Sequence, residues 1–99
     1  MADHQLIDRR SLAMVQRIVA RVDQQPELLE RARATCERWL EQRDNPAHRE
    51  WSQILRRPWA QVREVLLDPG HEGQRLRQSD PFVGLLSNQE RWAILRETR

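Results

Sequence analysis

Cys36, His4, His48 and His71 are the side chains of this sequence best suited to nucleophilic, redox or metal chemistry. None of the histidines stands at a ligand spacing to another or to Cys36, so no zinc-type site is written in the sequence. Ala32, Cys36 and Leu40 recur every four residues and share one helical face. A thiol on such a face acts as a small hydrophobe, and burial raises its pKa. A single cysteine also leaves no disulfide to form within this sequence. The polar stretch Asp68-Pro69-Gly70-His71-Glu72-Gly73 lacks the Lys-Ser/Thr pair and the preceding strand of a phosphate-binding loop, and reads as a turn opening a short helix. An enzyme would have to assemble its site from at least two of Cys36, His48, His71 and Glu72 by tertiary contact. The expectation is a non-enzymatic chain with no catalytic residue, no metal and no cofactor, which works by binding a partner.

The residues that suit binding are arginine and tryptophan. All 17 basic residues are Arg, whose planar, bidentate donor suits interfaces and phosphates better than a Lys ammonium does. Arg and Trp are also the types most enriched at interface hot spots. Trp39 and Trp51 fall on apolar stripes and are expected in the core. Trp59 follows Arg56-Arg57-Pro58, and Trp92 follows Glu90-Arg91. Arg56, Arg57, Trp59 and Trp92, with Phe82, are therefore the candidate partner-binding residues. Arg10, Arg17 and Arg21 share one side of the first helix and are the candidate nucleic-acid contacts. Against that use, Asp8 and Asp23 flank them, and no basic recognition helix follows a Gly turn. Residues 1–50 hold nine Arg against nine acids and residues 51–99 eight against six, so neither half is a polycation.

These side chains must be positioned by helices. Pro lacks a backbone N–H and fits the first turn of a helix, and Pro26, Pro46, Pro58, Pro69 and Pro81 divide the chain into short segments. Asn45, Asp68 and Asp80 precede three of them and can cap the turn that follows. Each segment carries an apolar stripe at helical spacing. The stripes are Leu12, Val15, Ile18, Val19 and Val22; Leu28, Leu29, Ala32, Cys36, Trp39 and Leu40; Ala47, Trp51, Ile54 and Leu55; and Trp59, Val62, Val65, Leu66 and Leu67. The stretch Pro69–Gln78 contains Gly70 and Gly73 and should be short or mobile, since a mid-helix Gly costs about 1 kcal/mol against Ala. Ser87 and Glu90 form a capping box for a last helix running through Trp92, Ile94 and Leu95. With no alternating β-branched segment and no hairpin turn, the expected fold is all-α: one domain over residues 1–99, a small bundle of five to six short helices with Pro at helix starts.

No apolar run approaches the ~20 residues needed to cross a membrane, and the N-terminus lacks the basic and apolar regions of a signal peptide. A reduced cytoplasm is the expected location. In the element from Pro81 to Leu86, Pro81 opens a tight turn, Gly84 is read as allowing close approach or an unusual φ, and Phe82, Leu85 and Leu86 supply an apolar plug for the bundle or for a partner's groove.

Ser79-Asp80-Pro81-Phe82-Val83-Gly84-Leu85-Leu86-Ser87, followed by Glu90-Arg91-Trp92, resembles a Ser-x-Pro-Phe-x-Gly-x-Leu-Ser…Glu-Arg-Trp element shared by a group of small bacterial helical proteins. Arg10-Ser11-Leu12 and Glu27-Leu28-Leu29-Glu30-Arg31-Ala32 look similar to that group as well. The resemblance implies an antitoxin-like partner in a two-gene module, binding and neutralising or regulating a cognate protein, a toxin or a nucleotidyltransferase-like protein encoded nearby. It transfers no catalytic residue. The alternatives are a small nucleic-acid-binding transcriptional regulator using the Arg10, Arg17 and Arg21 face, and a structural or adaptor protein, including a homo-oligomer.

Overall fold

The computed structural model of the chain describes residues 2–98, with side chains from Asp8 to Thr98. It contains α1 (Ala2–Gln24), α2 (Leu28–Gln42), α3 (Pro46–Ile54), α4 (Trp59–Leu67), α5 (His71–Arg77), a 3-10 turn (Val83–Leu85) and α6 (Asn88–Glu97), with no strand among the described residues. The fold is the expected all-α one. The long α1 packs against α4, α5 and α6, α4 also packs on α5, and α2 and α3 form a pair of their own.

The stripes account for much of the core, but Trp39, expected in it, is half-buried against His48 and stands outside the buried cluster. Val15, Ile18, Val19 and Val22 of α1 are buried, as are Leu29, Ala32 and Cys36 of α2, Trp51 and Ile54 of α3, and Val62 and Leu66 of α4. Leu55, Leu76, Phe82, Leu85, Leu86 and Ile94 complete one continuous cluster. Trp51 lies at its centre with no exposed surface, and its indole Nε1–H donates to the Leu76 carbonyl at 2.8 Å. A buried indole needs such an acceptor. The bond ties α3 to the end of α5.

Proline and capping chemistry set the helix starts. Pro46 is the first residue of α3, and Asn45 Oδ1 accepts from the N–H groups of Ala47 at 2.8 Å and His48 at 3.3 Å. Both halves of the Ser87–Glu90 capping box are formed. Asp68 and Asp80 cap the turns that follow them, as expected. Each carboxylate accepts the N–H two residues on, at Gly70 and at Phe82, both at 2.9 Å, and so closes a turn ahead of the next element.

Helix ends rely on arginine. The last carbonyls of a helix have no partner within it, and the usual remedy is a left-handed Gly. Among the described residues no glycine has positive φ. Instead Arg33 Nε donates to the Leu55 carbonyl at 2.7 Å where α3 stops. Arg77 donates to Leu66 at 3.2 Å and to Asp68 where α4 stops, and Arg21 donates to Leu85 at the 3-10 turn. A guanidinium carries five donors in a fixed fork, so it can bond carbonyls and a carboxylate together.

Two glycine expectations change. Gly84 has ordinary φ, and a Cβ there would meet nothing within 4 Å, so neither close approach nor unusual φ explains it. Gly73, expected to weaken its stretch, is a point of contact. A Cβ there would lie 1.9 Å from the Asp68 carbonyl oxygen, so α5 crosses the end of α4 at a distance only glycine permits. The Pro69–Gln78 stretch yields a short helix as expected, but one anchored by buried Gly73, Leu76 and Arg77 on one face.

Candidate binding sites

Among the described residues, Cys36 and His48 are the reactive pair brought together, and through the backbone. Cys36 is buried, and its Sγ bonds the His48 carbonyl oxygen at 3.3 Å, while the His48 ring lies against Trp39 with centroids 4.7 Å apart. Burial pushes the Cys36 thiol up, away from the reactive thiolate. His71 and Glu72 are exposed at the start of α5, where Glu72 is held by Arg75. The His4 side chain falls outside the described residues. Among the described residues no three His, Cys, Asp or Glu side chains are grouped to hold a metal, and no helix is long and apolar enough to cross a membrane.

The arginines are largely committed to the fold. Arg75 bonds Glu50 at 2.8 and 2.9 Å and Glu72 at 2.7 Å, joining α5 to α3. These bonds hold both carboxyls below the usual range. Arg63 pairs with Asp23 at 3.2 Å and joins α4 to α1. Arg21 pairs with Glu90, and Arg77 pairs with Asp8 at 2.8 Å. The three-arginine phosphate face expected on α1 therefore does not form. Arg21 is taken by Glu90 and the Leu85 carbonyl, Arg10 lines a cavity, and only Arg17 stands exposed.

The candidate partner-binding residues separate in the same way. Phe82 has no exposed surface and packs edge-on to Trp51, so it contacts no partner unless the core opens; the plug closes this bundle from within. Trp59 is half-buried beside Phe82, and its Nε1–H donates to Asp23 Oδ1 at 2.8 Å. That bond, ahead of the Arg63 pairing, pulls the Asp23 carboxyl below its usual range. Trp59 is thus a brace between α4 and α1, with its polar edge already used. Arg56 and Arg57 are exposed in the turn before α4. Trp92 is 64% exposed, on α6 beside Arg91, Asn88 and Leu95. Its stripe partner Ile94 is buried on the opposite side of the helix.

A second feature was not visible as a site in the sequence. Between α1, the segment after α5, and α6 lies a cavity of about 240 Å3 lined by Arg10, Ser11, Met14, Ile18, Arg77, Asp80, Val83, Leu86 and Arg91. Asp80 is buried, and desolvation raises its carboxyl to about 6, against the lowering effects of the Phe82 N–H and the Arg77 charge. The Arg77 side chain has 0% exposure, yet among the described residues its Nε–H has no hydrogen-bond partner, and neither has the buried Nε–H of Arg10. One signal for Arg77 does stand in the sequence. Gly73 and Arg77 are four apart on the helix face that also holds Leu76, and a charge beside the only large apolar residue of that stretch is out of place on a solvated face. Neither Ser11 nor Met14 carries any such mark, because only the approach of α6 turns that side of α1 into a wall.

Compared with protein-family models, with curated proteins and with solved structures, the chain finds no match in any of the three.

Proposed function

We propose that the protein is a non-enzymatic protein-binding module, antitoxin-like, that neutralises or regulates a cognate partner through the outer face of α6. The observation that carries this reading is Trp92. It is the most exposed large apolar side chain of the described residues, while Trp51 and Trp59 spend their indole N–H groups on acceptors within the fold. An indole held in water on a rigid helix, flanked by exposed Arg91 and Arg96, has the composition of a hot spot. Neither arginine forms an ion pair among the described residues, which suits a partner surface with an apolar slot and an acidic rim. The resemblance expected from the Ser79–Ser87 and Glu90–Trp92 segments points the same way, and the partner proposed with it is a toxin or nucleotidyltransferase-like protein encoded nearby.

The test is co-expression with the product of the neighbouring gene, followed by size exclusion at micromolar concentration. The wild-type chain should co-elute with that product. Trp92→Ala should weaken the complex by about 30-fold or more, the scale of a hot-spot truncation, while its own unfolding midpoint stays unchanged. No co-elution, or a Trp92→Ala chain that binds as well as wild type, would sink the reading.

A further inference from the structure

The cavity between α1, the segment after α5 and α6 is lined almost entirely by apolar surface, from Met14, Ile18, Val83 and Leu86. Arg77 and Asp80 also border it but are buried, so a group that enters meets carbon and not charge. Two lining residues stand exposed, Val83 and Arg91, and they mark its mouth. Val83 and Trp92 are the exposed large hydrophobics of the described residues, and Arg91 borders both this cavity and the groove beside Trp92. An apolar hollow and an apolar projection thus lie on either side of one arginine. The free charges around the mouth have one sign. Arg91 is exposed, and exposed Arg17 lies one helical turn beyond Met14 on the same face of α1. Neither forms an ion pair among the described residues. Of the carboxylates next to the mouth in the chain, Glu90 is held by Arg21 and Asp80 is buried.

We infer that this cavity is a second anchor point of the partner interface: it receives an aromatic or branched aliphatic side chain of the partner, flanked by carboxylates that meet Arg17 and Arg91 in solvent at the mouth. The inference rests on the reading of the α6 face as the partner-binding surface, and it adds what the partner must present there. Size sets the side chain. The volume of about 240 Å3 exceeds the ~150 Å3 that holds a benzene in an apolar core cavity, so a phenyl ring or a leucine-sized group enters with room to spare. Charge sets its neighbours. A basic segment would be repelled by Arg17 and Arg91, and an acidic one is drawn in and oriented by them. A second copy of this chain is disfavoured for the same reason, because symmetry would set the same unpaired arginines against each other. A small neutral molecule could fill the hollow but would leave both arginines unused. The partner is therefore held twice, with Trp92 in its slot and its own apolar side chain in this cavity.

The test uses the 15N-labelled full chain and a capped peptide, acetyl-Glu-Glu-Phe-Glu-Glu-amide, with amide shifts followed by NMR. The peptide should saturate one site at millimolar concentration, with shifts centred on residues 11–18 and 83–91, and should weaken as salt rises. Replacing its Phe by Ala, or its Glu residues by Lys, should each weaken binding about tenfold or more. Two variants probe the cavity. Ser11→Phe fills it, and Val83→Asp sets a carboxylate at its mouth on an exposed position where folding is not at stake; each should cut peptide affinity about tenfold or more. In the complex with the neighbouring gene product, Ser11→Phe and Val83→Asp should weaken binding on the scale of Trp92→Ala, about 30-fold. Weakening by Trp92→Ala alone keeps the α6 reading and overturns the cavity. If the gene product does not bind at all, the proposed function fails and the peptide series decides the cavity by itself. Equal binding of the acidic and basic peptides, benzyl alcohol binding as tightly as the acidic peptide, a dimer of the free chain that Ser11→Phe dissolves, or full binding by Val83→Asp would each overturn the inference.

Discussion

Replacing Gly73 with alanine tests how α5 is held. Helix propensity alone favours the change, because Ala is better than Gly inside a helix by about 1 kcal/mol. The structure reverses the sign. The added Cβ would stand 1.9 Å from the Asp68 carbonyl oxygen, 2.7 Å from its carbon and 2.8 Å from its Cβ. Two of those atoms are backbone, so no side-chain rotation relieves the overlap and α5 must lift off the end of α4. Lifting it strains the Arg77 bonds to the Leu66 and Asp68 carbonyls and to Asp8. Overpacking typically costs about 1–3 kcal/mol, and loosening a buried charged hydrogen bond adds a similar amount, so after the propensity gain the net loss should be about 1–5 kcal/mol. Urea unfolding followed by circular dichroism reads this directly. Gly84→Ala is the control: its Cβ meets nothing within 4 Å, and its stability should stay within about 0.5 kcal/mol of wild type. A Gly73→Ala chain as stable as wild type, or a Gly84→Ala chain equally damaged, would refute the close-approach argument.

Other expectations follow from the buried polar groups. Because burial raises Asp80 from 3.8 to about 6, the native state holds that proton more tightly than the unfolded chain does, and Asp80 adds stability as pH falls from about 7 toward about 4. Asp80→Asn keeps an acceptor for Phe82 N–H, so it should stabilise the protein at pH 8 by up to about 3 kcal/mol and change it little at pH 4; equal destabilisation at both pH values would contradict the assigned cause. Glu90 works in the opposite direction. The Arg21 bond, helped by the Ser87 N–H, lowers its carboxyl from 4.5 to about 2, so its contribution is present above about pH 4.5 and lost on acidification toward pH 2. With a side chain 20% exposed, Glu90→Gln should cost about 1 kcal/mol at pH 7 in urea unfolding and flatten the acid limb of the stability profile. Trp51→Phe removes the indole donor to the Leu76 carbonyl, which keeps the Ser79 N–H at 3.2 Å, and with the lost ring volume should cost about 1–3 kcal/mol by thermal melting, whereas Trp92→Ala should leave the melt unchanged.

The helices themselves are local facts, and the sequence determined them. Stripes at helical spacing, Asn45-Pro46 and the Ser87–Glu90 box rest on interactions within four residues, so they can be read without knowing what lies opposite. The core members of α1 to α4 follow for the same reason: a helix with one apolar side buries that side. The same logic reaches Ile94, buried in α6, but leaves Trp92, which shares its segment, on the outer face.

What tertiary structure decided is the employment of the charged and aromatic residues. Arg21 looks in the sequence like a solvated cation, and it is taken up by a carbonyl and a carboxylate from the far end of the chain, while Arg77, marked only by its place beside Leu76, takes its carboxylate from Asp8 on α1. Trp59 and Trp92 are indistinguishable as residue types beside arginines, yet one meets Asp23 across a helix contact and the other faces water. Gly73 and Gly84 likewise differ only through what passes near them. The cavity of Arg10, Arg77, Asp80 and Arg91 belongs to the same class, since its walls come from segments about seventy residues apart and exist only once α6 lies along α1. Spacing along one helix fixes which side faces inward; what waits on the other side of a polar residue is set by long-range packing, and there the exposed Trp92 and the two unmet arginine donors were decided.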